Sequence, residues 1–515
     1  MVADEKKLDI HSSVGESSEP SQDYEEHVVL KKHTEAEIEA SGQWYDQKKG
    51  FGPFKFRYSS SMSQIVMLAF VLFMTSGMYN SLSGIGASIS DVKTSDNATV
   101  ALYSTFASIG FFGGTICNTI GVKPSLIFGG FGYGLYAASL FCFSKVENKG
   151  FVIFAGAFLG LCAAVLWAAQ GTIIMSYPTE DMKGRAIMIF WIIFNLGAVI
   201  GALVPLANNV ENKGTAVSNT TFIVFIVLML CGSVIASFML PMEKVWKSDG
   251  TRVITQKHPD WKKELIGLGK LLLNEPIIVL MFPMFFASNW FYTYQFNDFN
   301  AGRFNVRTRS LNSLLYWLSQ MVGSSFIGTI LDLKRFRRPT RAKIGWVIIF
   351  VLSLAIWGGG LKFALAFTRA DVTSSDPNVP AKLTPIDYTD GDYIGPMFLY
   401  MFYGAFDAIF QSYIFWTLGA LSNNPKKTAL YAGFYKGIQS AGAAIAWRLD
   451  AFSVPYIAMF GSAWGLTNGS LLIAVPLIFF KITDHTFAEN DGVEQIIADS
   501  ELTVIKSNSE HVEKA

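Results

Sequence analysis

Asp407 lies inside the apolar run "GAFDAIFQ", and Lys436 lies inside "YAGFYKGIQSAGAA". A charge surrounded by residues of this kind is costly unless it is paired or hydrated, so such groups mark routes for protons, ions or polar solutes. At about 1.5 Å of rise per residue, Asp407 would sit about 20 Å from one end of its helix and Lys436 about 12 Å from the corresponding end of its own. A lysine stem could bridge part of that gap, which leaves three arrangements open: a coupling pair, a structural ion pair, or a lysine snorkelling to the nearer surface.

Amides accompany the charges. Gln411 and Gln439 share their stretches, while Asn80, Gln170 and Asn195 sit in other apolar runs. Adding 241 to the residue number carries Gln170 onto Gln411 and Asn195 onto Lys436. Groups that donate and accept in such places either line a polar cavity or join helices, and both roles stay open. A further run, "ASNWFYTYQFN", offers Trp290, Tyr292, Tyr294, Gln295 and Asn297 as an outer gate, a solute contact or a headgroup belt. Asp298 follows it, with Arg303 as the expected neutralising partner.

Other chemistry is scarce. All six histidines fall in polar segments, which excludes a histidine proton relay within the apolar ones. The cysteines, Cys117, Cys142, Cys162 and Cys231, lie in apolar runs without CxxC spacing and read as small hydrophobes. "GLGKLLLN" lacks P-loop spacing, and no nucleophile triad or metal cluster can be assembled. No enzyme activity, metal or cofactor is expected.

These residues must be positioned by elements that suit lipid. The 515 residues are 51% hydrophobic and 16% charged, with a net charge of +1. Such a balance fits a chain mostly solvated by a bilayer, and short scattered basic runs argue against nucleic acid as a partner. Stretches of about 20 apolar residues, enough for one crossing, lie near 64–88, 99–121, 124–144, 151–176, 185–207 and 220–241. Six more lie near 276–297, 311–331, 344–367, 394–421, 428–449 and 455–481. The expected fold class is an all-α polytopic membrane protein. It divides into a disordered tail over 1–60, a six-helix bundle over 61–241, a linker over 242–275, a second bundle over 276–482 and a tail over 483–515. The tails have a disordered composition, and 368–393 reads as a long outer connection.

Basic residues in the linker, in the loop from Lys334 to Lys343, and at Lys426 and Lys427 put both termini in the cytosol. Arg303, Arg307 and Arg309 stand against this. The sequons at Asn97 and Asn219 fall in segments the topology places outside, as glycosylation acceptors. The membrane would be the plasma membrane or an endomembrane such as the vacuole.

One phrase is written twice: "GTICNTIGVKP" after the second stretch and "GTILDLKRFRRP" after the eighth. Six plus six spans and a repeated phrase at equivalent places indicate two parallel halves. With Gly328, Asp332, Arg337 and Arg338 in the second copy, and Gly114, Gly121 and Lys123 in the first, the chain resembles the major facilitator superfamily in its loop motif. Asn118 replaces the acid in the first copy, and Arg335 stands at a glycine position in the second. The glycine would allow close helix approach, and the acid would pair with basics or a helix dipole at an inner gate. "SGMYNSLSGIG", "ASNWFYTYQFN" and "YAGFYKGIQSAGAA" are similar to fungal members of the Unc-ninety-three-like family within that superfamily, over about residues 55–485.

The resemblance implies a twelve-helix fold with both repeats. It also leaves two functions in play: a secondary-transporter-type permease for a small solute, with Asp407 as a proton or cation coupling group, or a membrane regulator or escort of another membrane protein. Few charges in the spans argue against a strongly anionic substrate.

Overall fold

The computed structural model describes residues 24–51, 54–80, 92–211, 219–253, 261–372, 382–486 and 502–508. Twelve long helical segments run through them. The first six are Ser61–Asn80, Val92–Ile120, Val122–Val146, Lys149–Ser176, Lys183–Glu211 and Asn219–Phe238. The second six are Pro276–Ala301, Val306–Leu331, Arg338–Ala364, Ile394–Leu421, Pro425–Ala451 and Tyr456–Phe480. They are called spans 1 to 12 below. Within the described residues, nine are long and apolar enough by themselves to cross a bilayer. Spans 10 and 11 fall outside that set because they carry Asp407, Gln411, Lys436 and Gln439, all buried inside the bundle. Large apolar side chains such as Phe131, Phe154, Phe238, Val351 and Phe402 are exposed, as a lipid-facing surface requires.

The two sets of six meet along two seams. Span 2 packs on span 11, and span 5 packs on span 8. Glycine sets the distance at the first. A Cβ on Gly110 would stand 2.9 Å from Gly437 Cα, and one on Gly433 would stand 2.7 Å from Gly114 N. Both helices therefore present glycines four residues apart, and backbone lies against backbone, where dispersion and close packing replace the hydrophobic driving force that lipid removes. At the second seam a Cβ on Gly328 would stand 2.7 Å from Gly184 O.

Among the described residues, spans 1 and 7, one in each set, contain π-helical turns. Span 1 carries a π-helical turn over Phe73–Gly77. Span 7 begins as a 3-10 helix, Pro276–Met281, becomes α over Phe282–Ala287, breaks at Ser288–Trp290, and ends as a π-helix over Tyr294–Ala301. Irregular backbone at membrane depth persists only where protein or a cavity satisfies it, and π turns gather at functional positions.

The described parts of the tails depart from the expectation of disorder, while residues 1–23, 487–501 and 509–515 lie outside the described residues. Tyr24–Leu30 pairs antiparallel with Leu502–Asn508, and Lys48–Phe51 pairs with Phe54–Arg57. Thr34 caps the short helix Glu35–Glu39 with a complete capping box. Composition missed this because the stabilising partner is remote. Asp46, 2% exposed, accepts from Ser41, Ser59 and the Trp246 indole of the linker. In addition, Trp246 bridges the backbone at Ser59 and Ser61.

Replacing Gly433 with leucine should therefore lower the thermal midpoint of the purified protein by ten degrees or more, or abolish a monodisperse preparation. Gly461→Leu, where a Cβ meets nothing within 4 Å, should leave both unchanged.

Candidate functional site

Asp407 is fully buried on span 10 and is surrounded by donors. Its Oδ2 accepts from Gln320 Nε2 at 2.7 Å, Tyr292 OH at 2.8 Å and Tyr316 OH at 3.4 Å. Oδ1 accepts from Gln411 Nε2 at 2.7 Å, one helical turn along the same span. Spans 7, 8 and 10 are thus tied to one carboxylate.

Lys436 makes no ion pair with it. The two side chains enter from different depths, as their positions along the helices imply, and Gln411 fills the interval. Its amide presents a donor to Asp407, while its Oε1 accepts from Tyr435 OH at 3.1 Å, Gln439 Nε2 at 3.1 Å and Lys436 Nζ at 3.4 Å. Lys436 also donates to Gln439 Oε1 at 2.8 Å. Its ammonium lies 4.5 Å from the Trp167 and Tyr435 ring centroids and 5.2 Å from that of Phe415. Aromatic faces supply part of the stabilisation that water would give. Trp167 belongs to span 4, so this cation reaches across from one set of six helices to the other.

The break in span 7 is part of the same assembly. Gln439 Nε2 donates to Ser288 Oγ at 2.8 Å and Asn289 Oδ1 at 3.0 Å, and Trp290 Nε1 donates to Ser462 Oγ at 3.0 Å. Gln295 Oε1 accepts from Tyr316 OH at 2.8 Å. Trp290 and Tyr294 are 7% and 2% exposed, and Tyr294 packs against Trp357, Tyr403 and Phe460. The headgroup-belt expectation for these two aromatics is corrected, because the helix turns them into the bundle. Asp298 is corrected as well. It is fully buried, and its partner is Arg369 at 3.4 Å, not Arg303. Arg369 also bonds Asp450 at 2.5 Å, whereas Arg303 donates to Thr384 O. Arg307 binds Asp387 through two bonds, at 2.6 and 2.8 Å, and holds that carboxyl well below its ordinary range. Two of the three basic residues that opposed the topology, Arg303 and Arg307, are thus engaged by the loop that precedes span 10.

The amides of the first set are placed differently. Gln170 and Asn195 are fully buried, and none of their side-chain N or O atoms makes a hydrogen bond within the protein. Asn80 is half-buried at the end of span 1. The correspondence with Gln411 and Lys436 does not bring either amide into the Asp407 network.

The duplicated loops sit at the end of the bundle from which both tails emerge. Asp332 Oδ1 accepts from Gly184 N at 2.7 Å and Oδ2 from Arg185 N at 2.5 Å. An anion therefore caps the open N-terminus of span 5 across the seam. Burial pushes this carboxyl up to about 6, against the pull of the two amides. In the first copy Asn118 Nδ2 donates to Lys426 O at 3.2 Å, at the start of span 11. Gly114 packs on the Ala429–Leu430 backbone, and Gly121, at φ +89°, makes the turn into span 3 that an L side chain would strain. Lys123 is half-buried beside it. Arg337 precedes span 9 and lies 3.8 Å from Asp484.

Arg338 is 2% exposed and binds Glu180 at 2.9 Å, Thr483 O at 2.6 Å and Thr486 Oγ1 at 2.8 Å. Glu180 also accepts from Asn423 Nδ2 at 2.7 Å and Thr486 N at 3.0 Å, and contacts His485 Nδ1 at 3.2 Å. Burial opposes its ionisation. The His485 bond and the charges of Arg338 and Lys183 win, and hold it well below the ordinary carboxylate range. Lys183 in turn donates to Gly419 O and Asn423 Oδ1. Sequence reasoning missed Glu180, Lys183, Gln320 and Trp167. A search for charges inside spans passes over a loop acid, and Gln320 stands in a serine-rich span with no local signal to mark it.

The sequons do not sit as expected. Asn97 is exposed but lies within span 2, on helical backbone, rather than in a loop. Asn219 is the first residue of span 6, and its side chain lies outside the described residues.

The chain matches the family model described as the Major Facilitator Superfamily over residues 29–202 and 65–447. It is 50% identical over 460 residues to an UNC93-like protein of Schizosaccharomyces pombe, covering 89% of each chain. It is 37% identical over 444 residues to UNC93-like protein 1 of Arabidopsis thaliana, covering 85% of this chain and 95% of that one. Among solved structures, the proton:xylose symporter XylE aligns with a TM-score of 0.56 at 13% identity, over 84% of this chain and 98% of that one. FucP in the outward conformation aligns with a TM-score of 0.55 at 12% identity, over 82% and 97%.

Two outcomes are expected from this geometry. Lys436→Met removes the donor that Gln411 Oε1 and Gln439 Oε1 share and should destabilise by about 1–3 kcal/mol in denaturant or thermal unfolding, and because the two charges are not paired, adding Asp407→Asn should not restore it. The second concerns pH. Burial where Asp332 caps span 5 pushes its carboxyl from 3.8 up to about 6, so the capped arrangement holds a proton more readily than a water-exposed Asp332 would, and lowering pH from 7 to 5 should favour the capped arrangement. Glu180 acts in the opposite sense, but only below its ordinary range, outside this window. Distances between spin labels at Pro124 and Arg335 should narrow with acid, and Asp332→Asn should remove most of that response.

Proposed function

Because this chain belongs to the major facilitator superfamily, as one of its UNC93-like proteins, we propose that it is a secondary-transporter-type permease. It would move a small solute by rocking the two six-helix sets around the mid-depth network. In this reading both termini face the cytosol, and the paired loops form the inner gate, closed here by the Asp332 cap and the Glu180–Arg338 bond.

The observation that carries the proposal is the Asp407 carboxylate and its four donors. An ionised carboxylate only accepts, whereas a protonated one must donate through one oxygen. Taking up a proton on Oδ2 therefore either reverses one bond, with Tyr292 or Tyr316 turning its hydroxyl to accept, or displaces one of Tyr292, Tyr316 and Gln320. Tyr292 lies in span 7 directly after the break, so its release loosens an element whose backbone is already irregular. Proton binding is thereby converted into a change of packing between spans 7, 8 and 10, which is what coupling requires.

A second reading, a membrane regulator or escort without transport, draws on Asn118. The neutral amide in the first loop donates to the Lys426 carbonyl and brings no negative charge to the start of span 11.

Proteoliposomes carrying the purified protein should take up a member of a panel of labelled small solutes faster under an inwardly directed proton gradient than without one. Asp407→Asn should reduce the gradient-driven component at least tenfold while leaving counterflow exchange measurable. Absence of uptake for every solute, with a stably co-purifying membrane protein, would sink the permease in favour of the regulator.

A further inference from the structure

The helix Trp261–Asn274 joins the two sets and ends two residues before span 7 begins at Pro276, which brings its C-terminal end to the level where span 7 enters the bilayer. One side rests on the bundle. Leu271 is 7% exposed, and the helix packs against span 2. Immediately after it, Glu275 is held by Lys427 Nζ at 2.9 Å and Tyr431 OH at 2.7 Å, which fixes its end to the first turns of span 11.

The other side carries Lys262, Ile266, Gly269, Lys270 and Leu273, at spacings that form one stripe of an α-helix. Ile266 is 58% exposed and Leu273 is 81% exposed, and both lysines are exposed. A Cβ on Gly269 would meet nothing within 4 Å. Two branched aliphatic side chains left in water on one stripe are unfavourable. Beside a bilayer they can enter the acyl boundary while flanking lysines reach the headgroups. Basic side chains at that depth favour anionic over zwitterionic lipid by about 1 kcal/mol each.

We infer that this stripe is a docking surface for anionic lipid headgroups, with Ile266 and Leu273 inserted and Lys262 and Lys270 on the phosphate or carboxylate groups. Lipid held there bears on the segment that Glu275 ties to span 11, the span of Lys436 and Gln439. The inference does not depend on the permease reading, since it concerns binding alone.

Hydrogen–deuterium exchange on the full-length protein in nanodiscs tests it. Discs of phosphatidylcholine alone are compared with discs in which a third of the lipid is phosphatidylserine. Backbone exchange over 261–274 should slow several-fold in the anionic discs, and raised salt or Lys262→Gln/Lys270→Gln should remove the difference. Equal exchange of the wild-type helix in both lipids would overturn the inference, and this comparison needs no variant. Slowing that persists unchanged in the double lysine variant would overturn it too, because the protection would then come from protein. Exchange across span 11 core amides, unchanged between variants, reports that the bundle is intact.

Discussion

No water reaches a carboxylate at mid-depth in a bilayer in bulk, so Asp407 must be solvated by the protein. Four donors from three spans do this, and the rest of the central architecture follows from recruiting them. Gln320 and Tyr316 require span 8 to face span 10 with its polar stripe. Tyr292 requires span 7 to approach at the level where its helix has just broken. Gln411 is spent on the anion at one end and on the Lys436 group at the other, and so couples two charges that are too far apart to pair. An ion pair would have made the two charges mutually sufficient. The intervening amide leaves each dependent on its neighbours, and a change at either charge is felt by several helices at once.

The terminal face depends on a different constraint, the orphan amides at the start of span 5. Asp332 satisfies two of them from across the seam. Gly184 and Gly328 make that approach possible, since a side chain on either would hold the helices apart. The equivalent place at span 11 has Asn118, which donates to a carbonyl. The two seams are alike in packing and unlike in electrostatics, and the charged bonds around Glu180, Lys183 and Arg338 add to the charged one.

How much of this the sequence disclosed depends on the range of the interaction. Apolar runs of membrane length mark the spans because their cause is local, the thickness of the bilayer. Asp407, Lys436, Gln411 and Gln439 were visible as polar residues in those runs. Their connection through Gln411 was not, because it depends on the relative depth and rotation of two helices. The π turn at Tyr294–Ala301 has no local signature beyond polar residues in mid-span, and it reversed the reading of Trp290 and Tyr294 from interface to interior. The tail misjudgement has the same origin. Asp46 looks like any solvated acid until Trp246, in the linker, is placed against it.

The two sets of helices therefore bring unequal contributions to their shared interior. In the second set each charged or amide group of the Asp407 network makes at least one bond. In the first set Gln170 and Asn195 are buried, and neither amide atom of either side chain bonds the protein. Lys436 already crosses between the sets to rest on Trp167, which itself bonds Tyr133. In the rocking motion proposed above, span 4 or span 5 would shift against spans 10 and 11 and so disturb the contact of Lys436 with Trp167. Glycine-lined backbone contact at the seam leaves few side chains to interdigitate there, so in that motion the cost would fall on polar groups rather than on packing.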